Sequence, residues 1–268
     1  MRSVIAALKL STFLLWCALT MPIQVVFLWL APHSRVPQII PVLYHRFLCA
    51  VFGLRYEVVG TPLNHGGLMT GNHLSYLDII ILSAATPVSF VAKLEVASWP
   101  LFGWLAKLQR TVFVERRSVR ARDGAQAIQQ RMKDGYPLAL FAEGTSTDGI
   151  DVLPFKSSLF ASVLNQDINQ DIPVQPFTIA LLTVGGRAAD TPAIRNLYCW
   201  HGNMELLPHL WAFAKTSGAG VRLTFHPPHK AQDFADRKAL SAACHADCLS
   251  GLPALLSKTG VDLADKPL

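Results

Sequence analysis

The sequence predicts an α/β fold: a mostly parallel central sheet flanked by helices, preceded by an N-terminal membrane-associated two-helix hairpin. Three observations carry this. From Arg55 onward, short apolar runs of strand length alternate with amphipathic stretches of helix length, the pattern of βαβ units. From Leu10 to Ser34 there is no formally charged residue. The whole chain of 268 residues is 51% hydrophobic and only 16% charged, against about 25% in an ordinary soluble domain. The expected division is a hairpin over 1–54 and an α/β domain over 55–268.

The apolar N-terminal stretch is long enough for a transmembrane helix. Pro22 sits in its middle and is expected to bend or break it. A second apolar run follows from Val36 to Leu54, interrupted by Pro37, Pro41 and Arg46. No small-x-small cleavage site closes the first run, which argues against a signal peptide. Arg2 and Lys9 precede it and Arg35 follows it. A single span would place these positive flanks on opposite faces, which the positive-inside rule disfavours. A hairpin dipping into one leaflet keeps both on the cytoplasmic face, and this is the favoured reading.

In the α/β part, strands are expected at Tyr56–Val59, Gly67–Thr70, Val88–Ala92, Thr111–Val114, Leu138–Phe141, Val174–Ala180 and Val221–Phe225. Helices are expected at Tyr76–Ala85, Ala97–Leu108, Val119–Lys133, Ser157–Asn165, Met204–Lys215 and Phe234–Ser257. Ser118 can cap the third of these and Gly135 can end it. The net charge of +6 suits an anionic membrane surface, a phosphorylated cofactor or an acidic carrier protein. Lys and Arg are scattered and no nucleic-acid motif is present. The five cysteines show no regular spacing, so no disulfide framework is indicated. Cys244-x-x-x-Cys248 with His245 reads as helical core rather than a metal site, although His226 and His229 are available.

The most informative motif is Asn72-His73-Leu74-Ser75-Tyr76-Leu77-Asp78, placed between a strand and a helix. On one continuous helix, residues five apart point about 140° away from each other. If Ser75 caps the helix, and Ser75-x-x-Asp78 forms a capping box, His73 lies in the preceding loop and can fold back over Asp78. An ionised Asp accepting from one ring nitrogen leaves the other as a base. Chance accounts for many such pairs when they stand alone.

A second motif, Phe141-Ala142-Glu143-Gly144-Thr145-Ser146, follows a strand. A Glu there can bond a hydroxyl and a Gly admits close backbone approach; the plain alternative is a loop with a solvated Glu. Lys93, Arg110, Arg116 and Lys156 fall at element ends. Arg116, with Arg117, Arg120 and Arg122, would oppose a helix dipole unless an anion sits there, or else forms a solvated charged face. Ile172-Pro173-Val174-Gln175-Pro176 by itself reads as entry to an edge strand.

In this order and spacing, with Phe102-Gly103-Trp104 through Phe113-Val114-Glu115-Arg116 between them, these blocks resemble the glycerolipid acyltransferase family over roughly Arg55 to Ala180. That resemblance implies an O-acyltransferase domain over 55–268 behind a two-helix membrane anchor. His73 would deprotonate the acceptor hydroxyl and Asp78 would orient the imidazole. Glu143, Gly144, Thr145 and Ser146 would line the acceptor site, with Arg116, Lys156 and Lys93 as candidates for anionic groups. It implies a lyso-lipid acceptor, acyl-ACP or acyl-CoA as co-substrate, no bound cofactor and no metal. Two positions depart from the family pattern. Ala142 replaces a Pro, and Ser146 replaces an Arg whose fork suits phosphate. Either another cation, such as Lys156 or Arg110, takes over, or the acceptor lacks the phosphate. The Phe-Ala-Glu-Gly-Thr-Ser form followed by Leu153-Pro154-Phe155-Lys156-Ser157-Ser158 looks like the lyso-ornithine lipid acyltransferase branch, with acylation of lysophosphatidic acid as the alternative.

Two rivals predict other behaviour. Gly144-Thr145-Ser146-Thr147-Asp148 is a near miss to a serine hydrolase elbow, with Asp148 where the second Gly is needed. A non-catalytic membrane-bound binding protein would explain the hairpin and leave His73 and Asp78 without a role.

Overall fold

The computed structural model describes residues 1–32, 34, 36–115, 121–161, 163 and 172–253, without the side chains of 121–123. Two antiparallel helices, α1 (Arg2–Leu30) and α2 (Val36–Phe52), come first. α1 continues through Pro22 as one helix, so the expected break does not occur. The proline removes one backbone donor, but α2 packs alongside and holds the helix, with Phe13 against Phe52 at 6.3 Å between ring centroids and a Cys17–Tyr44 hydrogen bond of 3.1 Å. Buried Gln24 donates to the carbonyls of Pro37 (2.9 Å) and Leu108 (3.0 Å), tying the hairpin to the domain. Lys9 donates to the Thr216 carbonyl at 3.0 Å near the other end.

The strands are β1 (Leu54–Val59), β2 (Gly67–Gly71), β3 (Ser89–Lys93), β4 (Val112–Val114), β5 (Pro137–Phe141), β6 (Pro173–Val184), β7 (Arg187–Ala188), β8 (Ala219–Phe225) and β9 (His229–Lys230). They form one sheet in the order β1-β8-β6-β2-β5-β3-β4, with β7 and β9 also paired to β6. The β6–β8, β6–β7 and β6–β9 pairs are antiparallel, and the rest are parallel. The mostly parallel sheet is therefore as expected. All residues of β2 are buried, as befits a central strand covered on both faces. β8 alternates, turning Ala219, Val221, Leu223 and Phe225 inward.

The helices of the domain are α3 (Leu77–Ala85), α4 (Phe102–Leu108), α5 (Ala121–Lys133), α6 (Pro192–Arg195), α7 (Leu206–Ala214) and α8 (Arg237–Ser250). Two core clusters result, one with α1, α2, α3 and α7 on one face of the sheet, the other with α5 and α8 on the opposite face. The single helix expected over Ala97–Leu108 is instead a 3-10 turn, Leu94–Ser98, followed by α4. Pro100 cannot continue a helix, which accounts for the division. α8 begins later than expected because Asp236 caps it, accepting from the amides of Lys238 and Ala239 at 2.8 and 2.9 Å. The helix expected at Ser157–Asn165 shows as a 3-10 turn, Ser157–Phe160, and its remainder lies largely outside the described residues. Ser118, Val119 and Ser257 lie outside them too. Gly135 ends α5 in the left-handed region at φ +83.

Candidate active site

The site forms at the carboxyl end of β2, where α/β sheets place ligands. Gly71 ends the strand against Phe177 of β6, and a Cβ there would collide with that ring and carbonyl. Asn72 then leaves the strand, but its side chain keeps pairing with β6. Its Nδ2 donates to the Ile179 carbonyl at 2.9 Å, and its Oδ1 accepts from the Ile179 amide at 2.8 Å. The loop is thereby fixed before His73 begins.

His73 sits in this loop and Asp78 in the first turn of α3. They meet: His73 Nδ1 lies 2.9 Å from Asp78 Oδ2. The same oxygen accepts from the backbone amides of Leu74 (2.7 Å) and Ser75 (2.9 Å). Asp78 is fully buried, while the His73 side chain is 19% exposed. The capping box expected here is only half formed, and Tyr76 rather than Ser75 stands at the N-cap of α3. Asp78 reaches back to the Ser75 amide, but the Ser75 hydroxyl is buried without a hydrogen-bond partner among the described residues. A carboxylate accepting at Nδ1 fixes Nδ1–H as the donor and leaves the Nε2 lone pair as the basic nitrogen. Phe141 stacks on the imidazole, 3.9 Å between centroids and 14° between planes.

The second motif is stitched to the first. The Ala142 amide donates to the Gly71 carbonyl at 3.1 Å and the Thr147 amide to the His73 carbonyl at 2.8 Å. Glu143 is not a solvated loop residue. It is 1% exposed, and neither carboxyl oxygen has a hydrogen-bond partner among the described residues. Burial pushes its pKa up to about 8, and the charges of Asp78 and Asp151 add to this. Gly144 adopts φ +69, and a Cβ there would stand 2.6 Å from Lys156 Nζ. The lysine's flexible end can move aside, so it is the left-handed backbone that favours glycine here. Thr145 is exposed and Ser146 half-buried.

Ser146 donates its hydroxyl to the Trp200 carbonyl, so it is engaged as a structural tie. Arg110 donates to the Tyr136 hydroxyl and the Pro32 carbonyl at the hairpin turn, and its ring contact is with Tyr136. Lys93 and Lys156 are exposed at the end of β3 and in the loop after β5. Arg116 lies outside the described residues, as do Arg117 and Arg120 and the side chain of Arg122. Cys244 and Cys248 are buried on α8, and His229 pairs with Asp247 at 2.6 Å.

Sequence reasoning missed Tyr198, whose hydroxyl donates to Asp78 Oδ1 at 2.8 Å. It lies 120 residues from its partner, in a segment carrying no local motif. An apolar cavity of about 200 Å³ also went unread. It is bounded by α1, α2, α3, α4 and β3, with Phe13, Met21, Ile80, Ala92 and Ala106 in its wall. Tyr76 and Phe90 line it, and Phe90 stacks at 6.2 Å on the same Phe141 that carries His73.

Comparison with known proteins agrees with this architecture. The family model described as Acyltransferase matches residues 55–180. The chain is 39% identical over 217 residues to the lyso-ornithine lipid O-acyltransferase of Rhodobacter capsulatus, covering 81% of this chain and 76% of that protein. It is 30% identical over 212 residues to the 1-acyl-sn-glycerol-3-phosphate acyltransferase of Neisseria meningitidis serogroup B, covering 78% of each. The crystal structure of the 1-acyl-sn-glycerophosphate (LPA) acyltransferase PlsC from Thermotoga maritima superposes with a TM-score of 0.64, covering 94% of this chain and 96% of that one. At 19% identity this last likeness speaks for the fold. The chain belongs to the acyltransferase family.

Proposed function

We propose that this O-acyltransferase moves a fatty acyl chain from acyl-ACP or acyl-CoA to the free hydroxyl of lyso-ornithine lipid. The observation that carries the chemistry is the His73 ring held through Nδ1 by buried Asp78. His73 Nε2 takes the proton of the acceptor hydroxyl as its oxygen attacks the thioester carbonyl carbon. The new C–O bond forms, the C–S bond breaks, and the proton passes from His73 to the departing thiolate. Asp78 keeps the imidazole in the required tautomer and supports its transient charge. The apolar cavity is the place for the acyl chain, with Phe90 and Phe141 as the wall between its near end and the imidazole.

The acceptor assignment is supported by the Rhodobacter capsulatus relative quoted above and by Ser146. Where phosphate recognition would call for a guanidinium, this chain has a hydroxyl spent on the Trp200 carbonyl. Gly144 and Thr145 present backbone to the acceptor, Glu143 supports that loop from the interior, and Lys156, Lys93 and Arg116 serve anionic groups of acceptor or donor. Lysophosphatidic acid is the second acceptor to test, because the Neisseria relative is named for 1-acyl-sn-glycerol 3-phosphate. α1 is long and apolar enough to cross a membrane. With α2 it forms a monotopic anchor, residues 1–54, on the cytoplasmic face, with residues 55–268 as the catalytic domain.

The test is an acyl-transfer assay with purified full-length protein, offering lyso-ornithine lipid and lysophosphatidic acid with each donor. Ester formation on lyso-ornithine lipid is the expected result. Product from lysophosphatidic acid alone would overturn the acceptor assignment. Loss of activity in Ser146→Ala together with retention in His73→Ala would instead favour the hydrolase-like alternative.

A further inference from the structure

We infer that Tyr198 is a positioning residue of the acyl-transfer reaction, acting through Asp78 on His73. The inference rests on the His73–Asp78 reading above and adds a third member to it. The two carboxylate oxygens of Asp78 are treated differently by the fold. Oδ2 accepts from His73 Nδ1 and from the amides of Leu74 and Ser75, all from the loop that Asp78 itself follows. Oδ1 accepts from the Tyr198 hydroxyl, delivered from 120 residues away. A carboxylate held at one oxygen can turn about its Cβ–Cγ bond. Held at both, its plane is fixed, and so is the direction in which Oδ2 meets the imidazole.

The tyrosine is built for this. Its side chain is fully buried and packs edge-on against Phe213 at 6.1 Å. Burial and the adjacent Asp78 charge drive its phenol far above the ordinary value, so it stays a donor. The strap that carries it is fastened on both sides. The amides of Tyr198 and Cys199 donate to the Arg195 carbonyl, each at 2.8 Å, and the Trp200 amide donates to the Leu74 carbonyl at 2.8 Å. Ser146 donates to the Trp200 carbonyl. The strap thus links the His73 loop to the Glu143 loop, and Tyr198 is its point of contact with the dyad. A tyrosine wanted only for its ring would bury a hydroxyl for no gain, since phenylalanine fills the same space.

The experiment compares Tyr198→Phe, Asp78→Ala and the double variant with the parent full-length protein, measuring kcat and KM for both substrates alongside thermal unfolding. Tyr198→Phe is expected to fold and to lose about tenfold or more in kcat, as for removal of a hydrogen bond to a charged group, with KM within about twofold. In the Asp78→Ala background the same substitution is expected to cost less than about twofold, because the group it positions is gone. Phe213→Leu, which loosens the ring's packing and leaves the hydroxyl, is expected to keep kcat within about threefold. Full kcat in Tyr198→Phe, an equal fold-loss in both backgrounds, failure of Tyr198→Phe to fold, or an equal loss in Phe213→Leu would each overturn the inference. His73→Ala separates it from the reading it rests on. If that variant is inactive while Tyr198→Phe is unimpaired, only the role of Tyr198 falls. If His73→Ala keeps activity, the dyad itself falls.

Discussion

His73 occupies a loop position whose every neighbour constrains it. Asp78 fixes one nitrogen, Phe141 covers a face, and Asn72 anchors the preceding residue to β6. His73→Ala is expected to lower kcat by about 10²–10⁴ with intact folding, the range for loss of a general base. A stopped acyl-transfer assay beside a thermal melt checks this. Gly144→Ala is expected to lower both stability and activity, since φ +69 strains a residue with a Cβ and Lys156 would have to shift to admit it. Glu143 makes a different prediction. Its native pKa of about 8 lies above the ordinary carboxylate value, so over that interval the folded state binds more protons than the unfolded one. Stability from this group is full below the ordinary value and is lost as pH rises towards 8. Glu143→Gln, neutral throughout, is therefore expected to gain stability relative to the parent between about pH 5 and 8; denaturant titrations across that range measure it. The His73–Asp78 pair was legible because both residues fall within one loop and one helical turn. Tyr198 was not, because its partnership depends on the sheet order and leaves no spacing to read.

The elements show the same division between local and distant causes. Central strands such as β2 and β5 could be read because apolar runs bounded by Gly and Pro have few other uses. The two-residue strands β7 and β9 exist only as partners of β6, and no run of such length carries a pattern. α1 ignored the local signal at Pro22 because packing against α2 and the Gln24 bonds outweigh one lost backbone hydrogen bond. The half-formed capping box follows similar logic, with Asp78 recruited by His73 as much as by the helix. The apolar cavity arises only where α1 and α2 lie over α3, α4 and β3. Ala106, small and in its wall, is the place to shorten it. Ala106→Phe is expected to shift donor preference towards shorter acyl chains at a stability cost of about 1–3 kcal/mol. A chain-length series of acyl donors, with the parent run in parallel, reads out the shift.

At the scale of the whole molecule, α1 carries many of the exposed large apolar side chains among the described residues. Leu15, Leu19 and Trp29 are 71%, 58% and 79% exposed, an apolar surface that calls for a lipid partner. Replacing all three with Glu in the full chain is expected to move it from the membrane fraction to the soluble fraction. Retention with membranes would contradict the anchor. The apolar cavity lies between α1 and α2 on one side and α3, α4 and β3 on the other, which under the proposed function puts the acyl chain beside the hairpin. The missing charges from Leu10 to Ser34 made the long apolar helix legible. Lys9 bonding to the Thr216 carbonyl and Gln24 to the Leu108 carbonyl were not, since they join residues whose proximity the sheet decides. The proposed acyl transfer is tested most directly by ester formation by the purified protein on lyso-ornithine lipid, measured for the parent and for His73→Ala. Acylated product from the parent and its loss in the variant are expected. Equal product from both, or product from lysophosphatidic acid alone, would contradict the proposed function.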